Sequence, residues 1–208
     1  MSLVESDRDL IVQNAIGPVP RLIVFAGHAG AGKTTLAKRA MPLIMARTGQ
    51  VFFFLDKDTA YGRYSAQVLA LTTGNPDDRD SPFYVKNLRG LEYAGLIDIV
   101  RENLELNVNV VAVGPFSQEI RSGLLFDPVA MGLPVDVHTR MAWIDLPADE
   151  ARRRMVRRAD PRDTWKLKHW EEYARRRIVP PAHPLIRRFD NSTFDEAEFD
   201  ALITHLVS

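Results

Sequence analysis

Residues 27–34 read Gly27-His28-Ala29-Gly30-Ala31-Gly32-Lys33-Thr34, a complete G-x-x-x-x-G-K-[ST] loop. Glycines at these positions let the backbone wrap closely, so that successive N–H groups converge on phosphate oxygens. Lys33 is spaced to reach β- and γ-phosphates, and the Thr34 hydroxyl can bind Mg²⁺. A helix opening here, with Thr35 in its first turn, turns the positive end of its dipole on the same anion. His28 stands at a variable position of the motif and is expected to act through its backbone. The flanks agree with this reading. Residues 21–26 (Arg-Leu-Ile-Val-Phe-Ala) have strand character and residues 35–47 read as a helix, which is the strand–loop–helix context the motif requires.

Working outward, further short apolar runs appear at 51–55, 108–113, 141–146 and, more weakly, 185–189. They are continuous rather than alternating, which predicts strands covered on both faces. Helical stretches lie between them at 33–47, about 59–72, 90–106, 148–158, 165–177 and 194–207. Strand alternating with helix predicts a three-layer α/β domain around a parallel sheet, with ligands at the carboxyl ends of the strands. Residues 1–20 form a polar extension ending in Gly17-Pro-Val-Pro20, and 21–208 a single domain. The longest irregular stretch is 74–93, the natural place for an acceptor-binding segment.

Composition narrows the function classes. The 208 residues carry 27 basic and 27 acidic side chains, so nothing suggests a nucleic-acid or anionic-membrane partner. There is no cysteine, which removes disulfides, thiolate metal sites and a cysteine nucleophile. No apolar run approaches the about 18 residues of a membrane span and no signal-peptide pattern stands at the start, so a cytoplasmic protein is expected. The oligomeric state is not readable.

The strand ends carry the remaining chemistry. After the second strand comes Leu55-Asp56-Lys57-Asp58-Thr59. A carboxylate there can accept the proton of an attacking hydroxyl or hold Mg²⁺ through water; alternatively Asp58 or Thr59 caps the next helix. After the third comes Val113-Gly114-Pro115-Phe116, with no acid where mechanical ATPases place one, and Gly114 leaves room for a substrate. After the fourth strand, 150–163 carry a dense arginine run. Arg154 and Arg158 share a helix face, and Arg162 follows Pro161 at a helix end. Guanidinium groups on a flap at about 154–177 would neutralise a transferring phosphoryl group. Asn191-Ser192-Thr193 follow the last strand, where they touch a base or cap the terminal helix. Arg63, Arg79 and Tyr84 are the candidate acceptor anchors, Tyr84 as a stacking face.

This set resembles the small-molecule P-loop kinases related to shikimate kinase, gluconate kinase and chloramphenicol phosphotransferase. Within that class it looks most like bacterial proteins described as AAA-family ATPases or predicted kinases. The resemblance rests on Gly27–Thr34, Leu55–Thr59, Gly114-Pro115-Phe116, and Arg154-Met-Val-Arg-Arg158 with Arg162-Asp163. It implies a five-stranded parallel sheet of order 2-3-1-4-5, a small arginine-bearing lid, and Mg-ATP as donor. By the same resemblance Arg154 stacks on adenine and Arg158 binds phosphates. Shikimate kinase has a triple glycine where Gly-Pro-Phe stands here, so shikimate is not the expected acceptor.

The expectation is an ATP-dependent kinase acting on a hydroxyl of a small metabolite or natural product. Lys33, Asp56, Asp58, Arg158 and Arg162 would be catalytic, and Thr34 with Asp56 would hold the metal. The loop, Arg154, Asn191 and Ser192 would bind the nucleotide. Asp58, Arg63, Arg79, Tyr84 and Gly114 would face the acceptor. The alternatives are a nucleotide-dependent switch that binds a protein partner and a nucleoside or nucleotide kinase.

Overall fold

A computed structural model describes residues 19–208; most of the N-terminal extension expected at 1–20 lies outside the described residues. Five parallel strands run in the order β2-β3-β1-β4-β5. They are β1 (Arg21–Ala26), β2 (Phe52–Asp56), β3 (Asn109–Val113), β4 (His138–Asp145) and β5 (Ile186–Asp190). The register aligns Ala26 with Trp143, Asp56 with Val113, and Asp145 with Asp190, which brings the carboxyl ends of all five strands to one edge.

Apolar residues alternate between two packed faces along the central strands. Ile23, Phe25, Val111, Val113, Ala142 and Ile144 pack under α1 (Lys33–Thr48), α6 (Ala148–Arg158) and α9 (Glu196–Val207). Leu22, Val24, Ala26, Val110, Ala112, Met141 and Trp143 pack on the other side against α4 (Arg89–Glu105) and residues 116–133. Burial on both faces explains why the runs are continuous in sequence although the side chains alternate in space. Among the described residues no helix is long and apolar enough to cross a membrane.

Several boundaries differ from expectation. Residues 74–93 are not one irregular stretch: Ser81 accepts from Tyr84 N–H at 3.1 Å and caps α3 (Pro82–Asn87), and α4 begins at Arg89. Proline in the first turn and the buried Tyr84 and Leu88 favour that short helix. The single helix expected over 165–177 is two, α7 (Thr164–Lys168) and α8 (Trp170–Arg175), parted at His169 (φ −114°, ψ 44°). Helix α2 (Lys57–Thr73) is capped by Asp56 rather than Asp58 or Thr59, and α9 by Asp195 rather than Ser192 or Thr193. In both cases an aspartate just before the first turn accepts the free N–H groups. Residues 114–137, unassigned in sequence, hold α5 (Ser117–Arg121) and a 3-10 turn at Leu124–Phe126.

The chain crosses from β1 into α1 under tight steric limits. At Gly27 φ is +140° and an added Cβ would lie 2.5 Å from the Ile144 carbonyl oxygen. Backbone cannot retreat as a flexible side chain can. Gly27→Ala is therefore expected to cost at least about 2 kcal/mol of unfolding free energy. Urea denaturation followed by circular dichroism measures this, and a variant within about 0.5 kcal/mol of wild type would contradict the packing described.

Candidate functional site

The loop of residues 27–34 forms one wall of a cleft of about 570 Å³ at the carboxyl edge of the sheet. That volume is large enough for a small ligand beside part of a nucleotide. Its donors meet protein oxygens. Lys33 Nζ donates to the His28 carbonyl at 2.9 Å, and Ala29 N–H donates to the Tyr173 hydroxyl at 3.1 Å. Behind the loop, Gly27 N–H donates to the Pro115 carbonyl at 3.2 Å and Asn191 Nδ2 to the Ala31 carbonyl at 2.7 Å. The left-handed turn at Gly32 (φ +90°) strains any other residue, and a Cβ there would also displace the Asn191 amide, 2.6 Å away. Gly30, Gly32, Thr34 and Thr35 line the cleft itself.

His28 does more than its motif position promised. Its ring packs edge-on against Trp143, with centroids 5.2 Å apart, and its Nε2 accepts from Ile178 N–H at 2.9 Å. Burial lowers its pKa to about 4, which keeps the ring neutral and able to accept. The phosphate loop is thereby joined to the chain just beyond α8.

Asp56 and Asp58 part company at the end of β2. Asp56 Oδ1 accepts from Asp58 N–H at 2.8 Å and Thr59 N–H at 3.3 Å, while its Oδ2 accepts from the Thr34 hydroxyl at 2.7 Å. One carboxylate thus starts α2 and faces the loop. Asp58 lies one step further along the cleft among cations. Lys57 Nζ and Arg79 Nη2 are each 3.3 Å from its Oδ1, and Arg162 Nη1 is 3.5 Å from its Oδ2. Burial pushes the Asp58 carboxyl up, but Lys57, Arg79, Arg162 and Lys33 outweigh it and hold it at about 2.

The arginine run divides between scaffold and flap. Arg154 and Arg158 sit on α6, which is anchored by the buried Ala151 and Met155, so the departing segment begins only after Arg158. Arg154 Nη2 donates to the Asn191 carbonyl at 2.7 Å, and its Nε to Glu150 at 3.2 Å. Arg158 pairs with Asp163, and Arg162 with Asp160 as well as Asp58. All three line the cleft.

Several expected positions do not serve as read from the sequence. Arg63 is exposed on α2 and does not line the cleft, because its helical turn faces solvent. Tyr84 lines the cleft but offers no open stacking face. It is buried, its hydroxyl donates to Glu92 Oε2 at 2.5 Å, and Lys57 and Arg79 lie within 6 Å of its ring. Neither Asn191 nor Ser192 lines the cleft: the Asn191 side chain is held by the Ala31 carbonyl, and Ser192 is exposed with its N–H donated to Asp190 Oδ1. Gly114 does line the cleft, and a Cβ there would press within 3.2 Å of the Phe116 ring.

The largest feature missed in sequence is the buried network around Glu92. Lys57 Nζ lies 2.6 Å from Glu92 Oε2, and Ser65, Tyr84 and Arg79 reach the same carboxylate. Its signal was present: Leu88, Glu92, Leu96 and Val100 recur every four residues on the buried face of α4, and one of them is an acid. Arg89 is a second omission. It is fork-bonded to Glu119, with both distances 2.8 Å, and also donates to Gln118 Oε1 at 2.9 Å. Among the described residues, no three His, Asp or Glu side chains gather as a metal site. A hard cation here would therefore need oxygens from the nucleotide in addition to Thr34 and Asp56.

A family model described as an AAA domain matches residues 22–180. No curated protein matches the chain. Among solved structures, a sugar kinase from Janibacter sp. HTCC2649 is similar at a TM-score of 0.59 and 17% identity, over 91% of this chain and 95% of that one. A gluconokinase from Sinorhizobium meliloti 1021 follows at 0.54 and 14%, over 92% and 91%. The Mycobacterium tuberculosis APS kinase CysC, solved with AMPPNP and APS, is similar at 0.56 and 16%, over 92% and 100%. At these identities the likeness is one of fold, a P-loop kinase fold with the 2-3-1-4-5 strand order.

Burial lowers the Lys33 pKa to about 8, against the pull of Asp58 and Asp56. A bound polyphosphate favours the charged amine and raises that value. Affinity for Mg–AMPPNP is thus expected to be level below pH 8, where Lys33 is already protonated. It should fall by up to about tenfold per pH unit above that, because binding must then take up a proton. Calorimetry across pH 7–9.5 measures the slope, and Lys33→Met should abolish it. A level wild-type profile would remove Lys33 from the phosphate site.

Proposed function

This chain belongs to the AAA domain family, and on that footing we propose that it is an ATP-dependent kinase for a hydroxyl of a small metabolite or natural product. The observation that carries the reading is the continuous line from Thr34 through Asp56 to Asp58 and on to Arg162. The Thr34–Asp56 contact is 2.7 Å and the Asp58–Arg162 contact 3.5 Å. A metal-side acid, an acceptor-side acid and a flap arginine follow one another across a single cleft.

The loop fits a nucleoside triphosphate. Ala29 N–H and Lys33 Nζ now rest on a tyrosine hydroxyl and a carbonyl, oxygens that phosphate oxygens would replace. Thr34 and Asp56 suit Mg²⁺, as hard oxygen ligands or through water. When bound, Mg-ATP supplies the transferable phosphoryl group and charge neutralisation.

The chain's own residues supply position and field. Lys33 and Arg158 hold negative charge at the phosphates, with Arg154 beside the Asn191 loop where a base would lie. Asp58 orients the acceptor hydroxyl, whose oxygen bonds to phosphorus as the bond to the β-phosphate oxygen breaks. A carboxylate held at about 2 is a weak base toward a free alcohol. The proton therefore passes to it late, once the oxygen is bonding to phosphorus, as suits a loose transition state. Arg162 leaves Asp58 for the transferring group as the flap closes, which frees the carboxylate for the acceptor.

An ADP-release assay with a panel of hydroxylated acceptors tests this. At least one acceptor should raise turnover well above slow hydrolysis. Asp58→Asn should then lower kcat by about a hundredfold or more with KM for ATP little changed. Asp56→Asn should instead raise the Mg²⁺ concentration needed for half-maximal rate. ADP release that no acceptor stimulates, with Asp58→Asn equal to wild type, would favour a nucleotide-dependent switch and end the kinase reading.

A further inference from the structure

The cleft is strongly positive in a chain of zero formal net charge: twelve Lys and Arg side chains line it against four carboxylates. Most of these cations are matched by carboxylates in or just behind the wall. Lys57 and Arg79 meet Glu92, Arg89 meets Glu119, Arg154 meets Glu150, and Arg176 meets Glu172. Four lining cations have no carboxylate within 4 Å among the described residues: Lys33, Arg121, Arg175 and Arg177.

Arg175 ends α8 and is exposed to solvent; topology separates the other three. Lys33 belongs to the loop after β1. Arg177 is tied to the strand on its far side, donating to the Leu146 carbonyl just after β4 at 2.5 Å. Both stand where a nucleotide's phosphates account for them. Arg121 belongs to α5, which follows β3, and β3 lies between β1 and β2 in the sheet. It therefore stands on the Asp58 side, beyond Gly114. Its Nη2 donates to the Arg176 carbonyl at 3.2 Å, and among the described residues Arg121 Nε and Nη1 have no acceptor.

Carboxylates of the same lining are already taken, Asp58 by Lys57, Arg79 and Arg162, Asp80 by Lys166, and Asp163 by Arg158, so beside the Ser117 hydroxyl this wall offers mainly donors. Arg89 takes the Gln118 carbonyl oxygen at 2.9 Å, so Gln118 presents its NH₂ group as the remaining polar end. Arg89 itself is held by the buried Glu119 in a fork, which fixes its plane and stops it from following a ligand. A neutral polyol needs mixed donors and acceptors, and a cation would be repelled here. A carboxylate or a phosphate or sulfate ester matches a wall of guanidinium and amide N–H groups.

We propose that the acceptor carries an anionic group, bound by Arg121 and the Gln118 amide while its hydroxyl lies at Asp58. The assignment rests on the donor–acceptor reading of the cleft. It concerns binding alone, so it can fail or stand apart from phosphoryl transfer.

The test is calorimetric titration of the full chain saturated with Mg–AMPPNP, so that the donor loop is filled. Inorganic sulfate stands for a phosphate or sulfate ester, malonate for a carboxylate, and glycerol for a neutral acceptor. At least one anion should bind and glycerol should not, and whichever anion binds names the source of the charge. Arg121→Gln should weaken that anion at least tenfold, Arg121→Lys should recover part of the loss, and Mg–AMPPNP affinity should stay within twofold. Arg121 is exposed, so loss of fold does not confound the variant, and an unchanged melting temperature checks this. Binding of neither anion, equal binding of glycerol, or an Arg121→Gln variant equal to wild type would each overturn the proposal. Anion binding that depends on Arg121, with no acceptor ever phosphorylated, would keep this subsite and end the kinase reading alone.

Discussion

Asp56 divides its two oxygens between two tasks, and the geometry of the cleft depends on that division. One oxygen caps α2 through the N–H groups of Asp58 and Thr59; the other accepts from the Thr34 hydroxyl on the phosphate loop. The cap sets the direction in which α2 leaves β2, and so decides where Asp58 points. The contact with Thr34 holds that edge of the sheet against the loop. A glutamate, one methylene longer, could not keep both contacts from the same backbone position.

Around that point the cleft manages a charge problem. Twelve Lys and Arg side chains lining one cleft repel one another. The structure answers by placing carboxylates behind them, with Glu92 under Lys57 and Arg79 and Glu119 under Arg89. These buried pairs gain little net stability, since desolvation offsets most of their attraction. Their effect is positional, because a guanidinium bound by a fork has few rotamers left. Among the described residues, the lining cations without such partners keep N–H groups free to meet a ligand.

The flap is joined to the body by packing, with Tyr173 in the core and Trp165, Leu167 and Trp170 against it, and by specific contacts. His28 receives the Ile178 N–H, the Tyr173 hydroxyl receives the Ala29 N–H, and Arg162 reaches Asp58. Two of these three joints fall on the phosphate loop. The loop passes so close to β4 that even a methyl group at Gly27 would strike the Ile144 carbonyl.

The strand runs, the phosphate loop and the alternation of strand and helix were all readable from residue order. Each is a local pattern: both faces of a central strand are apolar, and the loop's glycines answer to backbone geometry within eight residues. Asp56, Asp58, Gly114 and the arginine run were legible as residues, because chemistry at strand ends is what a parallel sheet exposes. Their division of labour was not. Tertiary structure alone decided that Asp56 faces Thr34 while Asp58 faces Arg79 and Arg162, that Arg63 turns to solvent, and that Tyr84 is absorbed by Glu92. It also decided that Arg121 ends unpaired beside Gln118. Side-chain partners far apart in sequence are chosen by the packing of helices on the sheet, and no spacing along the chain encodes which charge will find another and which will be left for a ligand.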